Sequence, residues 1–85
     1  MEELARRATT SPDDGPAAFE YASALDNAGR EAEAVAVYRR ALACQLPEEM
    51  GYRVRVQLGS SLRALGKIEE SAAVHLETSE RWPDR

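Results

Sequence analysis

The apolar positions along this chain recur at helical spacing, and polar or Gly/Pro stretches cut them into five runs. In the first run, from Glu2 to about Thr9, Leu4, Ala5 and Ala8 form a thin stripe. From about Pro16 to Ala28 the stripe is Ala18, Tyr21, Ala22, Leu25 and Ala28, at spacings of three and four. That spacing puts every member on one face of a helix. From about Glu31 to Cys44 the stripe is Ala34, Val37, Tyr38 and Ala41. A fourth run starts at Pro47 and carries Val54, Leu58, Leu62 and Leu65, with Gly59 on the same side. Glycine there permits close approach of a neighbouring backbone. A fifth helix is predicted from about Ile68 to Arg81. Ala, Arg, Glu and Leu dominate all five runs, so intrinsic propensity agrees with the pattern.

The breaks between runs have the chemistry of helix ends. Thr9 to Pro16, TTSPDDGP, is a loop in which Asp13 or Asp14 can accept the free amides of the next helix, and Pro16 suits its first turn. Gly29 and Gly66 each end a helix, because glycine reaches the left-handed conformation without a Cβ clash. Leu46 and Pro47 stop the third run, and Pro47-Glu48-Glu49 starts the fourth with acids at the positive end of the helix dipole. Trp82-Pro83 stops the fifth.

The two glycines also mark a repeat. They lie 37 residues apart (66 − 29), and the residues around them match offset by offset. Before each Gly stand Tyr21 or Leu58, Ala22 or Gly59, and Leu25 or Leu62. After each stand Glu33 or Glu70, Ala34 or Ser71, Tyr38 or His75, and Ala41 or Thr78, and then Pro47 or Pro83. Large residues align with large ones and small with small. On these residues, from about Pro16 to Pro83, the chain resembles the tetratricopeptide repeat, a helix–turn–helix unit of about 34 residues. The most specific parts are Gly59 and the run Gly29, Ala34, Tyr38, Ala41. There are departures. Ala18 stands where the family often has a large aromatic, and His75 where an aromatic is usual. The period of 37 exceeds the family's by about three residues, a surplus assigned to extra residues around Leu46 to Met50.

The resemblance implies an all-α fold: antiparallel helix–turn–helix repeats stacked as a short right-handed α-solenoid of about five helices. One domain over residues 1–85 would hold an N-terminal helix and loop (1–14), a first repeat (15–47) and a second (48–83). The first helix reads as the end of a preceding second-type helix, or a cap that imitates one. The family binds extended peptides or partner helices in a groove lined by the first helix of each hairpin. Matching positions here are Phe19, Glu20, Ser23, Asp26 and Asn27, then Arg53, Val56, Gln57, Ser60 and Arg63. One wall would be acidic and the other basic, with Phe19 and Val56 as an apolar floor. One subfamily clamps the C-terminal carboxylates of chaperones with Lys and Asn, but Phe19 and Ser23 occupy those places in the first unit, so that clamp is not expected.

A hairpin of this kind has too little apolar surface to stand alone, and neighbours must cover it. Two units and a stub leave the last helix with an uncovered side, for which Ile68, Ala72, His75, Leu76 and Trp82 are the candidates. The chain is therefore expected either to belong to a longer array or to self-associate, as a homodimer or by swapping helices. Trp82 reads equally as a partner anchor or as a cap folded back on its own helix.

Composition narrows the chemistry. The formal net charge is -4, and the basic residues are scattered among more numerous acids, which argues against nucleic-acid binding. The single cysteine, Cys44, can form no internal disulfide and reads as a small buried hydrophobe. The single histidine, His75, has no cluster around it and reads as packing or as a solvated helix face. No phosphate loop, nucleophile motif, metal spacing or cofactor motif appears. No apolar h-region follows Met1 and no run approaches the length of a membrane span. The expectation is a cytoplasmic, non-enzymatic scaffold or interaction module that takes a protein or peptide partner, with no cofactor, nucleic acid or membrane. A regulatory fragment of a larger protein is the alternative.

Overall fold

A computed structural model describes all residues from Met1 to Arg85. It contains five α-helices and no strands: α1 (Glu2–Thr10), α2 (Gly15–Asn27), α3 (Glu31–Leu42), α4 (Glu48–Ala64) and α5 (Ile68–Arg81). None is long and apolar enough to cross a membrane. Each helix packs against the next, and α2 also touches α4. The pairs α2–α3 and α4–α5 are thus the two predicted hairpins, and α3–α4 is the joint between them.

The helix ends follow from the residues at them. Asp14 caps α2, its carboxylate accepting from the amide of Ala17 at 3.0 Å, with proline in the first turn. Both hairpin turns are the same motif. Gly29 and Gly66 have φ of 78° and 80°. In the first turn Gly29 N–H bonds to Asp26 O at 3.0 Å and Arg30 N–H to Leu25 O at 2.9 Å. In the second, Gly66 bonds to Arg63 O and Lys67 to Leu62 O, both at 2.9 Å. This paired pattern satisfies carbonyls that a helix end otherwise leaves free. The third helix stops at Leu42, two residues short of the expected Cys44.

The core lies along the joint. Leu25, Ala34, Tyr38, Ala41, Val54 and Leu62 are fully buried. Alanines keep α2 and α3 close, and Tyr38 fills the space between the hairpins. In the second hairpin, Ser71 replaces the corresponding alanine and its Oγ donates to the carbonyl of Gly59 at 2.8 Å. The His75 ring lies directly over Gly59: a Cβ there would sit 2.5 Å from it.

The three extra residues of the long period are accounted for by α4. The position that aligns with Gly15, the first residue of α2, is Tyr52, yet α4 begins at Glu48. The insertion forms one additional helical turn at the start of α4. Met50 of that turn lines one surface cleft, and Glu48 and Gly51 line another.

Candidate functional site

The first helices of the two hairpins, α2 and α4, flank an open cleft of about 480 Å³. Five of the ten predicted groove residues line it: Phe19, Glu20, Ser23, Asn27 and Arg53. Leu4, Ala24 and Met50 join them. Asp26, Val56, Gln57, Ser60 and Arg63 do not line this cleft. Met50 was legible in principle, since it stands one turn before Arg53 on the same face of α4. The arrival of Leu4 depends on how α1 lies across α2, and no local pattern signals that.

Phe19 is less a floor than part of the core. It is 6% exposed, its ring centroid lies 6.2 Å from that of Tyr38, and the Arg53 guanidinium sits 5.6 Å above it. The apolar surface that remains in the cleft comes from the edge of this ring with Leu4 and Met50.

Polar groups beside the cleft are largely engaged within the molecule. Glu20 pairs with Arg7 of α1 at 3.2 Å. The Tyr38 hydroxyl lies 3.0 Å from Asp26 Oδ2 and 2.6 Å from the side-chain amide of Gln57, which also lies 3.2 Å from Ser23 Oγ. A phenol has one proton, and a carboxylate only accepts. The Tyr38 proton therefore goes to Asp26, and Gln57 completes the set by presenting its NH₂ to the phenol oxygen. Burial pushes the Tyr38 phenol well above its ordinary range; the hydrogen bond with Ser23 opposes this, and the Asp26 carboxylate reinforces it. Tyr38 of α3 thus joins Ser23 and Asp26 of α2 to Gln57 of α4. Of the acidic wall expected from the sequence, Glu20 is paired with Arg7 and Asp26 is engaged by Tyr38, while Asn27 and Arg53 are exposed.

The expected uncovered face of α5 is present. Ile68 is 58% and Leu76 62% exposed, and Ala72 and His75 are exposed beside them. Trp82 is different. It folds back on α4, edge-on to Tyr52 with ring centroids 5.4 Å apart. The guanidinium of Arg85 stacks on Tyr52 at 4.4 Å and pairs with Glu49, which lowers the Glu49 carboxyl below its usual range through that hydrogen bond. Cys44 is half-buried, its Sγ 3.4 Å from the carbonyl of Arg40 and 3.6 Å from that of Pro12.

These features define a class: a short helical-hairpin repeat protein with a cleft along its first helices. The Tetratrico peptide repeat family model matches residues 15–85, and the chain belongs to that family. No curated protein and no solved structure matches it. The family takes protein partners in general.

Proposed function

We propose that this chain is a non-catalytic interaction module that holds a peptide or a partner helix in the cleft between α2 and α4. The observation that carries the reading is the cleft's lining. An apolar strip from Leu4, Phe19 and Met50 lies beside the solvent-facing ends of Asn27 and Arg53. Amphipathic partners need that combination: apolar area for affinity and fixed polar ends for register. Among the lining residues Glu20 is paired with Arg7, and Asp26 stands outside the lining, so the unpaired charge on the cleft wall is that of Arg53. The favoured occupant carries an acidic residue next to apolar ones, and the process is equilibrium binding without covalent chemistry.

The test is selection of peptides on the purified chain, followed by titration of the selected peptides. Arg53→Glu reverses the free charge on an exposed side chain and leaves the buried core in place. Binders with an acidic residue that weaken by about tenfold or more in Arg53→Glu are the expected result. Selected peptides that lack acids, or that bind the variant equally well, would remove the cleft reading. Circular dichroism of the variant confirms that its helices are retained.

A second reading is supported by a separate observation, the exposed Ile68 and Leu76 on α5. On this reading α5 is the contact face of a homodimer. It requires no cleft and is tested by oligomeric state.

A further inference from the structure

The most enclosed cavity of the molecule lies away from the α2–α4 cleft. It measures about 200 Å³ and sits where the end of α3, the additional turn of α4 and the end of α5 meet. Arg55, Arg81, Trp82, Glu48 and Gly51 are among its walls. Arg53 of the cleft and Arg55 of this cavity are two positions apart on α4, so they point to nearly opposite sides of the helix.

Arg55 is the unusual residue here. The repeat aligns it with Ala18, which is 1% exposed in the first hairpin (18 + 37 = 55). An arginine has taken a core position, and its side chain is only 16% exposed. One of its terminal nitrogens, Nη1, donates to the carbonyl of Gly51 at 3.0 Å. Its Nε is buried and makes no hydrogen bond within the chain. The nearest carboxylate oxygen, on Glu77, is 3.7 Å away, too far for a hydrogen bond. A buried guanidinium donor left without an acceptor is costly, and the cost selects for an anion beside it. Arg81 is half exposed, and its Nε likewise stands 3.7 Å from a carboxylate oxygen, Glu48 Oε1. Both guanidinium groups lie against the Trp82 ring, at 5.4 Å for Arg55 and 5.0 Å for Arg81.

Two guanidinium groups thus lie against one indole, beside a helix start with no side-chain cap, and such donors suit an oxyanion. We propose that this cavity binds a carboxylate group, taken from a small free acid or from the end of a peptide chain. The ligand carboxylate accepts from Arg55 Nε and from Arg81, and displaces Glu77 and Glu48. Those two side chains are 74% and 68% exposed and turn out into water at little cost. A carboxylate is favoured over a phosphate dianion because the two glutamates stay close by, and a second negative charge on the ligand would double their repulsion.

The only tryptophan of the chain forms a wall of the site, so its fluorescence reads occupancy directly. The experiment titrates the full chain with sodium acetate, against sodium chloride and phosphate at matched ionic strength. A saturable change in Trp82 emission with acetate, absent with chloride and weaker with phosphate, is the expected result. Arg55→Gln and, independently, the exposed Arg81→Gln each weaken it by about tenfold. Arg53→Glu leaves it unchanged, which separates this site from the cleft. Glu77→Gln removes the internal competitor and tightens acetate binding severalfold. An N-acetylated dipeptide is then compared with its C-terminal amide: tighter binding of the free acid than of acetate assigns the ligand to a chain terminus, and equal binding assigns it to small acids. No saturable change with acetate, tighter binding of phosphate, or a site intact in both arginine variants overturns the proposal.

Discussion

Tyr38 stands at the junction of three helices, fully buried, with its hydroxyl between Asp26 of α2 and Gln57 of α4. Tyr38→Phe keeps the packed ring and removes only the hydroxyl. Asp26 and Gln57 then lose a partner, and the expected loss is about 1–2 kcal/mol of unfolding free energy, measured by urea titration. The same group sets an alkaline limit. Its folded pKa is raised above the ordinary phenol value of about 10. A raised pKa contributes stability that is complete below the unfolded value and is lost as pH climbs toward the folded one. Thermal stability of the wild type should therefore decline above pH ~10, and in Tyr38→Phe this part of the decline should be missing. Phe19 differs from the exposed cleft residues in kind. At 6% exposure it belongs to the core, and Phe19→Ala should cost about 3–5 kcal/mol in the same titration. A binding defect in that variant would report unfolding rather than the cleft.

At the scale of elements, the glycines separate two kinds of constraint. Nothing lies within 4 Å of a Cβ added at Gly29 or Gly66, so the strain of replacing either comes only from φ near +80°. Gly29→Ala and Gly66→Ala should each lower the unfolding free energy by a similar amount, about 1 kcal/mol. Gly15→Ala meets matter instead: its Cβ would be 2.5 Å from Leu46 Cδ2 and 3.1 Å from both Cys44 Cβ and the carbonyl of Gln45. Backbone cannot swing aside as a side-chain tip can, so that variant should cost more, about 1–3 kcal/mol, despite the better helix propensity of alanine. Chemical denaturation of the three variants side by side checks the order. These glycines also show how the fold could be read in advance. The turns at Gly29 and Gly66, the Asp14 cap and the limits of α5 are local, and the residues that make them lie within a few positions of one another. The additional turn of α4 is legible in the same way, because Pro47 followed by Glu48 and Glu49 marks a helix start, and α4 begins at Glu48. Half of the predicted cleft residues line the cleft. Of the rest, Asp26 and Gln57 join the Tyr38 network, and matching offsets carry no sign of that, nor of Leu4 arriving from another helix. Arg55 was passed over because a single arginine in a helical stripe looks like a solvated one until its neighbours are known.

At the scale of the whole molecule the two hairpins are alike in turn and core but unlike in their outer faces. The face of α3 that meets α4 is Val35, Tyr38 and Leu42, all buried or half-buried. Advancing each by 37 gives Ala72, His75 and Ser79 on α5, all exposed. The second hairpin has therefore traded large apolar residues for small and polar ones where a following helix would pack. What remains apolar is Ile68 and Leu76, where the first hairpin has Glu31 and Arg39. Complete burial of one fully exposed such side chain is worth about 1.5–3 kcal/mol, and Ile68 and Leu76 are 58% and 62% exposed, so a symmetric pair of α5 helices gains about 4–7 kcal/mol from these two residues. Association costs about 4–15 kcal/mol in lost freedom, so the two terms nearly cancel and the dimer should be weak. Light scattering coupled to size-exclusion chromatography should show the mass rising from monomer toward dimer between about 10 µM and about 1 mM. Ile68→Asp or Leu76→Asp places a charge at the centre of the contact and should hold the chain monomeric over that range. Neither side chain supports the core, so the melting temperature of the dilute variants should stay within about 2–4 °C of wild type. A wild type that stays monomeric at the highest concentration, or variants that still dimerise, would exclude α5 as the contact face.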